Sequence, residues 1–223
     1  EILFRTKLSE NLFRGLSPWM QKLPGGLIHV NVVGCALFAA ISGSSAATVA
    51  TVGKMSIPEL RKRNYPEKIL LGSLAGSGTL GLLIPPSIIL IIYGVAVQES
   101  IAKLFIAGII PGIMIALIFM SYVIIWSLIN KKKMPKILEE YSLIEKIKRS
   151  KQLLPVIILI LAVIGSIYTG VATATEAASL GVVGALILSY FQKSLNFNTF
   201  KSSLLGATKT SCMIAFILAG STF

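Results

Sequence analysis

The sequence predicts an all-α polytopic membrane protein, and three observations carry that prediction. The first is a shortage of charge: 13% of the 223 residues are charged and 54% are hydrophobic, whereas a soluble domain carries about 25% charge. The second is length, because several apolar stretches reach the ~20 residues that cross a bilayer core. The third is the placing of the basic residues. Lys and Arg gather in residues 5–22, 54–68 and 131–151, the short hydrophilic segments where the positive-inside rule puts cytoplasmic loops. That distribution accounts for the net charge of +12 without a polyanionic partner. No basic helix is interleaved with aromatics for base stacking, so the lipid bilayer, and not nucleic acid, is the surrounding partner.

Residues 1–26 are mixed and basic, with Ile2, Leu3, Leu8, Leu12, Phe13 and Leu16 near helical spacing. They predict an interfacial amphipathic helix or the end of a scaffold helix, stopped by Pro24-Gly25-Gly26. Residues 27–97 read as one unit of two broken segments. The first, 27–53, is apolar between two basic flanks and centred on Ile41-Ser42-Gly43-Ser44-Ser45. A single crossing would leave one basic flank outside, against the charge rule. A turn at the centre leaves halves of roughly 20 Å, too short for a ~30 Å core. A re-entrant helical hairpin, entering and leaving on the cytoplasmic side, meets both constraints.

A basic loop at 54–68 follows, and 69–97 is the next span. It is broken at Gly76-Ser77-Gly78-Thr79 and again at Gly81-Leu82-Leu83-Ile84-Pro85-Pro86-Ser87. Two consecutive prolines remove backbone donors and clash with the preceding turn, so the helix must open there. Residues 98–170 hold further transmembrane helices. A polar turn at 98–100 lies outside, 101–129 returns with a kink expected at Pro111-Gly112, and 130–152 is a basic cytoplasmic loop with eight Lys or Arg against three Glu. After an outward span at 153–170, residues 171–223 start a second half, opening with the break Val171-Ala172-Thr173-Ala174-Thr175-Glu176. The chain begins without methionine and stops inside an apolar run, which leads us to expect part of a longer protein.

The breaks carry the chemistry. Backbone that leaves the helix at membrane depth survives only when buried in protein or lining a wet cavity. Opened turns free carbonyl oxygens, Ser and Thr hydroxyls add neutral ligands, and a hard monovalent cation is held by such a cage. The turn at Ser42 to Ser45 and the opening at Gly81 to Ser87 could face each other and form one site. Small residues and prolines also serve plain helix packing, but two breaks in neighbouring segments favour a site. Glu176 has two readings, an ionisable intramembrane group or a carboxylate capping the next helix. His29 is expected at the interface, and Cys35 and Cys212 as buried thiols. The single histidine, two distant cysteines and absence of Asp give no metal-ligand spacing.

Residues 39–48, reading Ala-Ala-Ile-Ser-Gly-Ser-Ser-Ala-Ala-Thr, and 81–87, reading Gly-Leu-Leu-Ile-Pro-Pro-Ser, together resemble the large membrane subunit of TRAP (tripartite ATP-independent periplasmic) transporters. The upstream run Gly25-Gly26-Leu27-Ile28-His29-Val30-Asn31-Val32 and the downstream run from Gly170 to Ala178 fit the same family, in its order. The resemblance implies an elevator-type secondary transporter whose moving domain carries two re-entrant hairpins, the first of them here. It implies sodium-coupled uptake of organic acid anions, dicarboxylate or sialic-acid-like, across the bacterial inner (cytoplasmic) membrane. A periplasmic binding protein would deliver the substrate, a small membrane subunit would widen the scaffold, and sodium would be the coupling ion with no other cofactor. By position, sodium would fall on Ser42, Ser44, Gly81, Ile84 and Pro86, and Ser45, Thr48, Ser87, Thr173, Thr175 and Glu176 are the further candidates for lining the ion or substrate. The family often has Thr-Pro-Thr-Glu where this chain has Thr173-Ala174-Thr175-Glu176, and the Asp that some members carry after the tip is absent.

Three other classes share some of these features. A sodium-coupled dicarboxylate or citrate carrier of similar hairpin fold would work without a binding protein. An intramembrane serine protease would need His29 within reach of a nucleophile, and no nucleophile motif is present. A non-transporting scaffold subunit would be indifferent to loss of Ser42 and Ser44.

Overall fold

The computed structural model describes residues 1–5, 8–135 and 141–221; residues 136–140 of the expected basic loop and the last two residues lie outside the described residues. Every regular element among the described residues is helical. After a 3-10 turn at Leu3–Arg5, α1 (Leu8–Met20) buries Leu12, Phe13 and Leu16. They pack on Val30, Cys35 and Val52 of the next two helices, α2 (Ile28–Ser42) and α3 (Ser45–Lys62). Gly25 and Gly26, at φ 105° and 54°, fold the chain back between α1 and α2 as only glycine does readily. That turn corrects the expectation for His29. The Pro24 carbonyl comes within 2.8 Å of its Nε2, and the ring is fully buried instead of interfacial.

α2 and α3 form an antiparallel hairpin. A methyl placed on Gly34 would touch Val52 at 3.5 Å, and both residues stand nine positions from Gly43. α3 continues past residue 53 to Lys62, because a helix ends where capping and breaking residues end it, not where hydropathy falls. Lys54, Arg61 and Lys62 stay exposed while Ser56 and Leu60 are buried, so the expected basic loop is largely helix. Asn64 in the left-handed region and Pro66 then close a short connection, bridged by the Arg61–Glu67 ion pair. The Leu27 N–H donates to the Tyr65 hydroxyl at 3.0 Å. The entrance of α2 and the exit of α3 therefore lie side by side.

α4 (Glu67–Gly78) runs into a 3-10 turn at Thr79–Leu82, an open stretch at 83–87, and α5 (Ile88–Ala96). α6 (Ile101–Ile129) is a single 29-residue helix that contains Pro111. α7 (Leu143–Ser150) meets α8 (Leu154–Tyr168) at 53°. α9 (Ala174–Phe191) returns along α8, with Gly181 against Val163 and Gly184 against Leu159, and α10 (Phe197–Ser221) completes the described chain. α6, α9 and α10 are each long and apolar enough to cross a bilayer. Cys35 is buried as expected; Cys212, on α10, is exposed, because the outer surface of that helix is itself apolar.

The basic segments share one end of the molecule. Ile28, Tyr65 and Ile69 pack with Val123, Trp126 and Met134 at the end of α6. Beside them Trp19 Nε1 donates to Ser150 Oγ at 2.7 Å, and Lys146 lies over the Trp19 ring.

Candidate functional site

The two sequence breaks meet in space. Gly43 ends α2 in the left-handed conformation, φ 60°, and its N–H returns to the Ala39 carbonyl, the usual glycine stop of a helix. Ser44 is extended and caps α3, its Oγ accepting from the Ala47 N–H at 3.5 Å. Between these ends a small oxygen cluster forms. Ser42 Oγ lies 2.8 Å from Thr48 Oγ1 and accepts from the Ser44 N–H at 3.3 Å. Thr48 Oγ1 donates to the Ser44 carbonyl at 2.8 Å. Thr48 is fully buried, and Ser42, Ser44 and Ser45 are half-buried.

Opposite the tip, the Leu83 and Ile84 N–H groups both return to the Leu80 carbonyl, and Ser87 Oγ donates to the Leu82 carbonyl at 2.6 Å. Pro85 and Pro86, joined by a cis peptide, donate nothing, so this stretch presents carbonyls without a helical ladder to absorb them. The Ile88 N–H donates to the Gly43 carbonyl at 3.1 Å, tying the first turn of α5 to the tip.

Two glycines permit the approach. A methyl on Gly81 would sit 2.8 Å from the Ser44 carbonyl carbon, its oxygen and the Ser45 nitrogen; one on Gly43 would sit 2.5 Å from the Pro86 oxygen. On the far side the open stretch rests on α6, where a methyl on Gly108 would meet the Leu83 oxygen at 2.8 Å and one on Gly112 would meet Ile84 at 2.9 Å. At about 1.5 Å per residue, this level of α6 is roughly 26–32 Å from Ile129 and roughly 10–17 Å from Ile101.

The structure thus gathers Ser42, Ser44, Ser45, Thr48, Gly81, Pro86 and Ser87 around one junction. Ile84 belongs to the same stretch, with its side chain turned toward α6. The third break stands apart. Thr173 N–H and Oγ1 both reach Glu176 Oε2 at 2.8 Å, and the Glu176 N–H returns to Thr173 Oγ1, a capping box on α9. The Thr175 carbonyl accepts from Ser179 Oγ. Of the two readings of Glu176, this geometry is the cap. A cavity of about 600 Å³ separates the two regions, with Ala40, Ile41 and Pro86 on one wall and Leu159, Val163 and Ala178 on the other.

Sequence reading missed what braces the hairpin. Asn31 Nδ2 donates to the Leu70 carbonyl and to Ser73 Oγ, at 3.2 and 3.0 Å, and Ser77 Oγ donates to the Asn31 carbonyl at 3.3 Å. The signal was present, since Asn31 is the lone carboxamide in 27–53 and Ser73 and Ser77 stand four apart, on one helix face.

These features define a polytopic helical membrane protein in which a hairpin tip docks on an opened helix. A family model described as "Tripartite ATP-independent periplasmic transporter, DctM component" matches residues 1–223, and the chain belongs to that family. It is 38% identical over 196 residues to the C4-dicarboxylate TRAP transporter large permease protein DctM of Pseudomonas aeruginosa, covering 87% of this chain and 45% of that protein. It is 34% identical over 220 residues to the sialic acid TRAP transporter permease protein SiaT of Haemophilus influenzae, covering 97% and 35%. It is 34% identical over 219 residues to the isethionate TRAP transporter permease protein DctMQ of Oleidesulfovibrio alaskensis, covering 96% and 34%. The chain spans half or less of the length of these relatives. Membership of a family of transporter permeases removes the serine-protease reading.

Proposed function

We propose that this chain is part of a sodium-coupled transporter subunit that imports an organic acid anion, dicarboxylate or sialic-acid-like, through a bacterial inner membrane. The hairpin α2–α3 is re-entrant, moves as part of an elevator domain, and brings its tip to the opened segment between α4 and α5. Sodium sits between them on Ser42, Ser44 and the carbonyls of Gly81, Ile84 and Pro86, with Thr48, Ser45 and Ser87 completing the polar surround. Thr173 and Thr175 border the solute path, while Glu176 serves its helix as a cap. The observation that carries this reading is the Gly43–Ile88 backbone bond between two breaks that each free oxygens at depth. The relatives, named for C4-dicarboxylate, sialic acid and isethionate transport, support an organic anion delivered by a periplasmic binding protein. A small membrane subunit completes the assembly.

Sodium in excess of the solute's charge would draw on the membrane potential. Each net positive charge moved inward down ~100 mV releases about 2.3 kcal/mol before any concentration gradient is added. The test is uptake by the intact transporter in proteoliposomes, with and without binding protein. Ser42→Ala should raise the half-saturating sodium concentration several-fold. Unchanged sodium dependence sinks the site, and uptake undiminished without a binding protein sinks the tripartite reading.

A further inference from the structure

Helix α7 is unlike the other exposed apolar helices. It is eight residues long, and four of them are charged, so it does not belong in hydrocarbon. Yet Leu143, Ile144 and Ile147 are 69%, 77% and 56% exposed. At 100° per residue these three fall within one arc of roughly 100°. Lys146 and Ser150 lie on the flank beside that arc and are held by Trp19 of α1, through the cation–π contact and the indole hydrogen bond. α1 therefore fixes the roll of α7, and the apolar arc is presented to one side.

Exposed cations border that arc, and others end α6 at the same end of the molecule. Lys148 is next to Ile144 on the helical wheel, at the boundary between the apolar arc and the polar face, and is exposed. Lys151 follows the last turn, also exposed. Lys131, Lys132 and Lys133 form an exposed 3-10 turn just past the end of α6. Arg149 is turned aside onto the Tyr141 ring and hydroxyl. Glu145, the acid of α7, is spent on the Ser142 N–H in a capping box. The 53° bend to α8 lays α7 toward the membrane plane when α8 crosses it.

We propose that α7 is a lipid-reading element: its apolar arc sinks to the acyl boundary, and Lys131 to Lys133, Lys148 and Lys151 bind the phosphodiester groups of anionic phospholipids in the cytoplasmic leaflet. Apolar burial beside several lysines is the combination that favours anionic over zwitterionic bilayers.

The intact transporter in nanodiscs provides the test. Ile144→Trp, in a background with Trp19→Phe and Trp126→Phe and with the signal of that background subtracted, is quenched by lipids brominated on their acyl chains, either phosphatidylglycerol or phosphatidylcholine. Quenching by the anionic lipid should exceed its share of the bilayer about two- to five-fold. Lys148→Gln with Lys151→Gln, or high salt, should return it to that share. Because Trp19→Phe loosens the clamp on α7, the same reporter is also placed at Ile147 with Trp19 retained and its own signal subtracted. Equal quenching by both lipids overturns the anionic preference. No quenching at either position means protein covers the arc, and overturns the proposal entirely.

Discussion

Replacing Gly81 by alanine tests the docking of the tip more sharply than any hydroxyl deletion. The added methyl would lie 2.8 Å from three backbone atoms of Ser44 and Ser45, none of which is the free end of a side chain. Ordinary carbon–oxygen and carbon–nitrogen contacts are several tenths of an ångström longer, so the tip must withdraw. Two losses follow. Overpacking of a tight contact costs about 1–3 kcal/mol, and breaking the 3.1 Å Gly43–Ile88 bond costs about 0.5–1.5 kcal/mol more. Together they amount to about 1.5–4.5 kcal/mol, which at ~1.4 kcal/mol per decade is roughly a 12- to 1,600-fold shift against the docked tip. If the docked tip builds the sodium cage, half-saturating sodium rises by at least about tenfold in uptake assays on the intact transporter. Gly72→Ala is the matched control. It lies in α4, the helix that leads into the 3-10 turn of Gly81, and an added methyl meets nothing within 4 Å, so it should leave sodium dependence unchanged and stabilise slightly through helix propensity. Wild-type sodium dependence in Gly81→Ala, with Gly72→Ala behaving as stated, would refute the reasoning.

Other substitutions separate structure from transport. Asn31→Ala removes the carboxamide that donates to Ser73 Oγ and to the Leu70 carbonyl in a buried interface, while the Ser77 bond to the backbone carbonyl of residue 31 survives. It should cost about 1–3 kcal/mol of stability, read as thermal melting in detergent, with sodium half-saturation unchanged in what remains folded. Thr173→Ala removes the cap of α9 and should lower the melting temperature without altering sodium dependence; a change in sodium dependence alone would return Thr173 and Glu176 to the ion path. Tyr65→Phe strands the Leu27 N–H at the base of the hairpin and should destabilise by about 1 kcal/mol or more. Burial pushes the Tyr65 phenol above its ordinary value of 10.0. The unfolded chain then ionises first, so this contribution is whole below pH ~10 and is lost as pH rises through the folded value; the alkaline fall in melting temperature should be smaller in Tyr65→Phe.

The elements whose causes are local were legible in the sequence. Pro85-Pro86 must open a helix whatever surrounds it, and Ser42-Gly43-Ser44 carries both a glycine stop and a serine cap. Glu176 was legible as one of two alternatives, because a carboxylate in a first turn suits the positive end of a helix; the structure adds Thr173, which completes a capping box. What was not legible depends on partners distant in the chain. His29 reads as interfacial by its neighbours, but a two-glycine turn carries it inside. Hydropathy ended the hairpin at residue 53, whereas α3 keeps its exposed lysines on one side and runs to Lys62. Pro111-Gly112 read as a kink, whereas the weight of that motif lies in Gly108 and Gly112, one turn apart, admitting Leu83 and Ile84. Only the pairing of α6 with the open stretch gives that spacing a meaning.

The meeting of the two breaks also bears on why sodium and an anion belong together in the proposed mechanism. Each break contains one helix end of each polarity. α2 stops at Ser42 and the 3-10 turn stops at Leu82, leaving carbonyls, while α3 starts at Ser45 and α5 at Ile88, leaving amides. Helix C-termini favour a cation and N-termini an anion. One amide of α5 is already given to Gly43, and that bond holds the two ends in register. A cation drawn to the carbonyls of both stops would hold the tip against the open stretch and offset the repulsion between the two negative ends. The amides of both starts would then be fixed for an anionic group. On this argument sodium binds before the solute and tightens its binding. The order can be read directly in the intact transporter. Sodium should lower the apparent Kd for the organic anion, and solute without sodium should leave the tip as accessible to a reporter at Ala46 as in the empty protein. Equal anion affinity with and without sodium would remove the link between the helix ends and the coupling.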